Sequence, residues 1–286
     1  MRPQLVATDL DGTLLRSDRT LSDRTVRVFD ALPVPVALVT GRPLRWLMQI
    51  YERLAHKPIA VVANGAAVYD PESDQLLHSA PLSADELAHA CRVLREAIPE
   101  ATFAVELDGG RGLIHEPGHA VGMWERSMAG RREAELAELV AQPAAKLLIR
   151  AGTRDSDEFA ALVGATLEGA YEATHSSLGG LVEISAAGVT KASGLAWVAA
   201  RLGVDAGDVV AFGDMPNDVP MLAWAGRAVA MANAHPAVKE IADEVTATND
   251  EDGVAAWLER EFGAAPGPGS IGVGVGRQGP PTPRTE

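Results

Sequence analysis

Asp9 and Asp11 stand one residue apart in "VATDLDGTLL" (residues 6–15), behind an apolar run and ahead of Gly12 and Thr13. Side chains two apart on an extended segment point the same way, so both carboxylates can face one site. Left to themselves, neighbouring carboxylates keep at least one proton between them. A hard divalent cation such as Mg²⁺, which prefers oxygen ligands, removes that conflict. Three more polar clusters follow short apolar runs: "TGR" (Thr40, Gly41, Arg42), "NG" (from Asn64) and "GDMPND", which holds Asp214, Asn217 and Asp218. Lys191 begins a helical stretch in the later half. Carboxylates for a cation, an ammonium, a threonine hydroxyl and glycine-flanked amides together suit a phosphoryl group in transfer.

These clusters meet only if the elements before them lie side by side. Residues 4–8, 34–40 and 59–65 read as buried strands, as does "DVVAFGD" later on. Between them, Ser22 caps one helix that Pro33 stops, and Pro43 opens a second helix predicted over 43–55. Apolar strands without alternation, separated by helices, predict a parallel sheet covered on both faces. In such a sheet ligands bind beyond the carboxyl ends of the strands, where all four clusters fall. The texture changes after residue 82. Ser83 and Glu86 form a capping-box pair, and the stretch to 187 mixes helices with apolar runs such as "AKLLIR" and "GLVEIS". The first texture returns from 188. The predicted class is therefore α/β: a parallel-sheet core over 1–82 and 188–262, with an α+β unit inserted over 83–187. The Gly- and Pro-rich stretch 263–286 is expected to be disordered.

Composition narrows the function. The chain of 286 residues is 47% hydrophobic and 22% charged, with a net charge of −14. That charge argues against a nucleic-acid partner, so an anionic ligand must be held by a local positive site. Cys91, the single cysteine, allows no internal disulfide and reads as a packed thiol in a helix. The first residues do not resemble a signal peptide, and no apolar run has the ~20 residues of a membrane span, so the expected setting is cytoplasmic. "RREAELAELV" reads as a solvated amphipathic helix. His115 and His119 lie four apart, but "HEPGH" contains Pro and Gly, so no helical face aligns them for a metal. Nothing in the sequence specifies an oligomeric state.

Each motif alone has a plainer reading: Asp-Gly is an ordinary turn, "TGR" a common loop, and "GDMPND" a helix cap. In order, "DLDGTLL", "VTGR", "ANGA", "GVTKASGL" and "GDMPND" resemble the haloacid dehalogenase superfamily of aspartate-nucleophile phosphatases. The similarity is to its Cof-type branch (subclass IIB, C2-capped), and it extends to the late "NDEDGVAAWLEREF".

The resemblance implies a Rossmann-like core of that superfamily with an α+β cap. It also implies a Mg²⁺-dependent phosphatase acting on a small phosphorylated metabolite, a sugar phosphate or a phosphorylated cofactor. Asp9 would be the nucleophile and Asp11 the general acid/base. The metal would be held by Asp9, the carbonyl of Asp11 and Asp214, with Asp218 orienting the shell. Thr40, Gly41, Lys191 and Asn217 would bind phosphate. Arg42, Asn64, Arg111, His115, His119 and Glu183 are candidates to line the substrate pocket. The core motifs leave open a phosphotransferase or phosphomutase of the same superfamily, and a sensor that binds a phosphorylated ligand without turnover.

Overall fold

The computed structural model describes residues 2–121, 130–152, 154–175 and 179–263. Eight of its strands form one sheet: β1 (Leu5–Thr8), β2 (Val36–Val39), β3 (Ile59–Val62), β4 (Ala67–Asp70), β5 (Gln75–Ser79) and three that come later in the chain. A second sheet follows, built from β6 (Thr102–Leu107), β7 (Gly112–His115), β8 (Arg131–Glu133), β9 (Lys146–Arg150), β10 (Glu172–Thr174) and β11 (Leu181–Ser185). The chain then returns to the first sheet through β12 (Val209–Gly213), β13 (Arg227–Ala230) and β14 (Glu244–Val245).

The order of the first sheet is β14-β13-β12-β1-β2-β3-β4-β5. From β14 to β3 the pairing is parallel, and β1 sits between early β2 and late β12, with Val6 opposite both Val36 and Val210. The strands on either side of β1 therefore come from opposite ends of the chain. Their side chains are almost wholly buried Val, Leu, Ala and Phe, as a sheet covered on both faces requires. Helix Asp23–Asp30 packs with Gly253–Phe262, while Lys191–Leu202 lies over β2, β3 and β4.

Two strands break the all-parallel expectation. β4 and β5 form an antiparallel edge beside β3, so the third run ends at Val62 and turns through Asn64, whose φ is 59°. The helix predicted over 43–55 is also divided, into a 3₁₀ turn (Leu44–Trp46) and a short α-helix (Met48–Tyr51). Its apolar positions explain this. Leu44, Leu47 and Ile50 repeat every third residue, and Leu47, Ile50 and Arg53 each donate an amide hydrogen bond three residues back. "RREAELAELV" is not one helix either: Arg131–Glu133 joins the second sheet beside β7, and only Leu136–Leu139 is helical.

The second sheet, in the order β10-β11-β9-β6-β7-β8, is antiparallel except between β7 and β8. Alternation divides its faces. Phe103, Val105, Leu147, Ile149, Val182 and Ile184 join residues of helices Ala84–Ala97 and Ser156–Thr166 in a core separate from that of the first sheet. The intervening Glu106, Lys146, Leu148, Arg150 and Glu183 face the carboxyl ends of the first sheet. Ser83 and Glu86 form the expected capping box. Cys91 is buried on Ala84–Ala97, and burial pushes its thiol up to about 12. Among the described residues no helix is long and apolar enough to cross a membrane. The Gly- and Pro-rich stretch expected to be disordered lies outside the described residues from 264 onward.

Candidate active site

The carboxyl ends of β1, β2 and β12 open into a cleft of about 310 Å³, lined by Asp9, Asp11, Thr40, Gly41, Arg42 and Asn217 on one side. Lys146 and Glu183 line it on the other. Asp9 follows β1 directly, and its amide donates to the Phe212 carbonyl of β12, which fixes its place at the sheet end. Lys191 Nζ donates to Asp9 Oδ1 at 2.7 Å and to Asp218 Oδ1 at 2.5 Å, with all three side chains buried. The other Asp218 oxygen accepts the amides of Asp214 and Met215 at 2.9 and 3.0 Å, so the loop after β12 is wrapped around that carboxylate. Thr13 Oγ1 donates to Asp214 Oδ1 at 2.8 Å.

Two glycines make these approaches possible. Gly12 has φ +76°, and a Cβ there would lie 2.2 Å from Asp214 Oδ2. Gly65, at φ +104°, lies under the Thr190 carbonyl, which a Cβ would meet at 2.0 Å. Thr190 caps the helix that carries Lys191, so this contact sets where the ammonium enters.

The charge in this cluster is unbalanced. Oxygens of Asp9, Asp214 and Asp218 lie within 4.8 Å of one another, against the single ammonium of Lys191. Burial, opposed by Lys191 and reinforced by Asp218 and Asp214, raises the Asp9 carboxyl well above the usual carboxylate range. Burial and then the neighbouring Asp218 push Asp214 up to about 7. For Lys191, burial works against the charge, but Asp218 and Asp9 outweigh it and hold the proton more tightly than usual. An all-oxygen donor set with surplus negative charge fits a hard divalent cation such as Mg²⁺.

Asp11 stands apart from that trio. Its carboxylate is half-exposed and receives Arg42 Nε and Nη2 at 2.5 Å each. Thr40 Oγ1 accepts the Arg42 amide at 3.0 Å, which shapes the loop after β2. Asn64 and Asn217 are joined at 3.1 Å, and Asn64 Nδ2 donates to Glu183 Oε2 at 2.6 Å. The buried Asn217 Oδ1 has no hydrogen-bond partner among the described residues.

A model of the haloacid dehalogenase-like hydrolase family matches residues 6–258. The chain belongs to that family. It is 32% identical over 275 residues to the 5-amino-6-(5-phospho-D-ribitylamino)uracil phosphatase YitU of Bacillus subtilis, covering 91% of this chain and 98% of that protein. The phosphatase YcsE of the same organism, with the same named substrate, is 29% identical over 256 residues, covering 88% and 93%. Among solved structures, SMU.1108c of Streptococcus mutans superposes with a TM-score of 0.79 at 22% identity, over 91% of this chain and 99% of that one. This chain is thus a phosphoric monoester hydrolase of the superfamily, with its parallel-sheet core. The Cof-type motifs read from the sequence agree with that membership.

Not every predicted residue lines the cleft: Asn64, Lys191, Asp214 and Asp218 are buried behind its lining, bonded to residues of the site. Arg111 pairs with Asp74 and Asp108 at 3.1 and 3.6 Å and is absent from the lining. His115 and His119 are buried against Glu116 and Thr102 respectively, and neither lines it. Conversely, Trp46, Glu106, Lys146 and Arg150 line the cleft without having been singled out in the sequence. The available signal was charge at alternate positions of an otherwise apolar strand: Lys146 and Arg150 flank Leu148 in "KLLIR".

Proposed function

We propose that this enzyme hydrolyses a small phosphorylated metabolite through an aspartyl-phosphate on Asp9, with Mg²⁺ as cofactor and Asp11 as general acid and base. The supporting observation is that Asp9, buried beside Lys191 at the end of β1, lines the same cleft as Asp11, Thr40, Gly41 and Asn217.

A carboxylate oxygen of Asp9 attacks phosphorus, and the bond to the leaving alkoxide breaks as Asp11 supplies that oxygen with a proton. Water then attacks the aspartyl-phosphate, Asp11 takes its proton, and Asp9 leaves as carboxylate with inorganic phosphate. Arg42 holds Asp11 in the cleft, and an incoming phosphate gives Arg42 an alternative anion, which frees Asp11 for this work. Lys191, the Thr40 hydroxyl and the amides around Gly41 hold the phosphoryl oxygens, and Asn217 helps at the rim. Mg²⁺, held by Asp9, Asp214 and the carbonyl of Asp11 with Asp218 behind them, supplies charge neutralisation at the phosphoryl group. Residues 83–187 act as a cap that excludes water and contacts the leaving group.

Substrates of this site are sugar phosphates or phosphorylated cofactors. The ribityl phosphate named for YitU and YcsE, a phosphorylated polyol joined to a heterocycle, heads the candidates. The decisive measurement is phosphate release from a panel that includes that compound, hexose phosphates and p-nitrophenyl phosphate, with Mg²⁺ or chelator. Asp9→Asn should lower release by about 10⁴-fold or more while leaving the folded circular dichroism intact. Release that survives in Asp9→Asn would overturn the assignment of the nucleophile.

A further inference from the structure

Lys146 is one of only four lysines in the chain, and it is buried in the middle of the second sheet's cleft-facing side. Burial of an ammonium needs a full set of partners. Its Nζ donates to Glu183 Oε1 at 3.0 Å within that sheet and, across the cleft, to the Gly41 carbonyl at 2.8 Å. Glu183 crosses in the same direction. Its second oxygen accepts Asn64 Nδ2 at 2.6 Å, and Asn64 Oδ1 in turn accepts Asn217 Nδ2 at 3.1 Å. An unbroken hydrogen-bonded line thus runs from Gly41 through Lys146, Glu183 and Asn64 to Asn217. Both its ends belong to loops of the first sheet, and its middle belongs to the second.

We infer that Lys146 and Glu183 act as one positioning pair, which clamps the Gly41 and Asn217 loops into the arrangement that receives the phosphoryl group. The inference rests on the phosphate-binding roles proposed above for those loops. Three features carry it. Among the described residues, Gly41 and Asn217 are linked to the second sheet through this pair and Asn64. Asn64 sits at φ +59°, a backbone setting that the link to Glu183 helps to hold. Asn217 Oδ1 has no partner among the described residues, so that amide is oriented through its bond to Asn64. An apolar pair would fill the same space, but it would leave the Gly41 carbonyl and the Asn64 amide unsatisfied at the seam.

The test compares wild type with Lys146→Met, Glu183→Gln, the double variant and Lys146→Arg, using p-nitrophenyl phosphate kinetics with Mg²⁺ and amide hydrogen exchange. Met keeps the packed stem of Lys146 and removes only the ammonium. Removing one member of a buried pair strands the other, so each single variant should lower kcat about 10- to 100-fold with KM little changed. The double variant should be no worse than either single one, and Lys146→Arg should recover much of the rate. Exchange of amides in 40–42 and 64–66 should rise about tenfold in Lys146→Met, while that of β1 and β12 stays put. Unchanged exchange in those loops, or rate losses that simply multiply in the double variant, would overturn the inference. Asp9→Asn, run alongside, separates the two readings. Undiminished turnover in that variant removes the proposed mechanism, whereas the exchange result stands or falls without it.

Discussion

Two lysines are buried at the cleft, and the company they keep differs. Lys191 stands among Asp9, Asp218 and Asp214, so its cluster carries more negative charge than its ammonium offsets. Lys146, among the described residues, donates to one carboxylate, Glu183, and to a neutral carbonyl. The same strategy recurs nearby where Arg45 pairs with Glu106 across the seam. The contrast separates two uses of buried charge. A surplus that pushes Asp9 and Asp214 up suits the further cation and the chemistry proposed for this cluster. In the Lys146–Glu183 pair an ammonium meets a carboxylate directly, and the value proposed for it lies in the direction its hydrogen bonds impose.

The strongest way to break the contrast is to remove the ammonium from the unbalanced cluster. Lys191→Met leaves Asp9 and Asp218 facing each other without a counter-charge. It should destabilise the fold by about 3–5 kcal/mol in denaturant titrations without metal, and abolish phosphate release. A variant as stable as wild type would mean that the cluster was never charged to the extent its surroundings suggest.

A smaller effect distinguishes the clusters by their response to metal. Mg²⁺ at about a hundred times its dissociation constant should add about 2.7 kcal/mol of stability through binding to the folded state alone. Differential scanning calorimetry should show that gain in wild type and in Lys146→Met, and show it lost in Asp214→Asn. A gain that survives in Asp214→Asn would place the cation elsewhere and erase the distinction between the two lysines.

The difference also explains what the sequence could disclose. Asp9, Asp214, Asp218 and Lys191 sit in loops at the ends of apolar strands, where polar residues in a fixed order stand out. The parallel order of those strands follows from their alternation with helices, so the meeting of their ends was legible too. Lys146 and Glu183 lie inside strands of the second sheet, and their roles depend on register: Glu183 opposite Leu148, and Lys146 opposite Glu106. Pairing between strands far apart in sequence is set by tertiary packing, which no local pattern encodes. The antiparallel β4–β5 edge is a local hairpin joined by residues 71–74, so its turn was there to be read. His115 and His119 drew attention through their spacing in sequence, which placed them near each other but not at the cleft. In the divided segment 43–55, too, the three-residue spacing of Leu44, Leu47 and Ile50 was there to be read.

His119 offers a third way to bury a titratable group, with no anion bonded to its ring among the described residues, and its effect emerges only as the pH falls. Burial first, and then Arg150 and His115, lower its pKa from 6.5 to about 4 against the pull of its bond to Thr102. The fold thus keeps the imidazole neutral where the unfolded chain would take a proton. Between about pH 6.5 and 4 the unfolded state binds more protons, so this contribution is complete above that window and is lost as pH falls through it. The loss amounts to about 3.5 kcal/mol at most, the shift converted at ~1.4 kcal/mol per unit. In His119→Gln that part of the acid sensitivity should disappear, at a cost near neutral pH of about 1 kcal/mol for the altered bond to Thr102. Urea titrations of both proteins at pH 7 and pH 4.5 would measure it. Equal slopes with pH would show that protonation of the second sheet proceeds without opening it. The expected outcome instead has acid loosening the sheet that carries Lys146 and Glu183 while the Lys191 cluster keeps its own, separate response to metal.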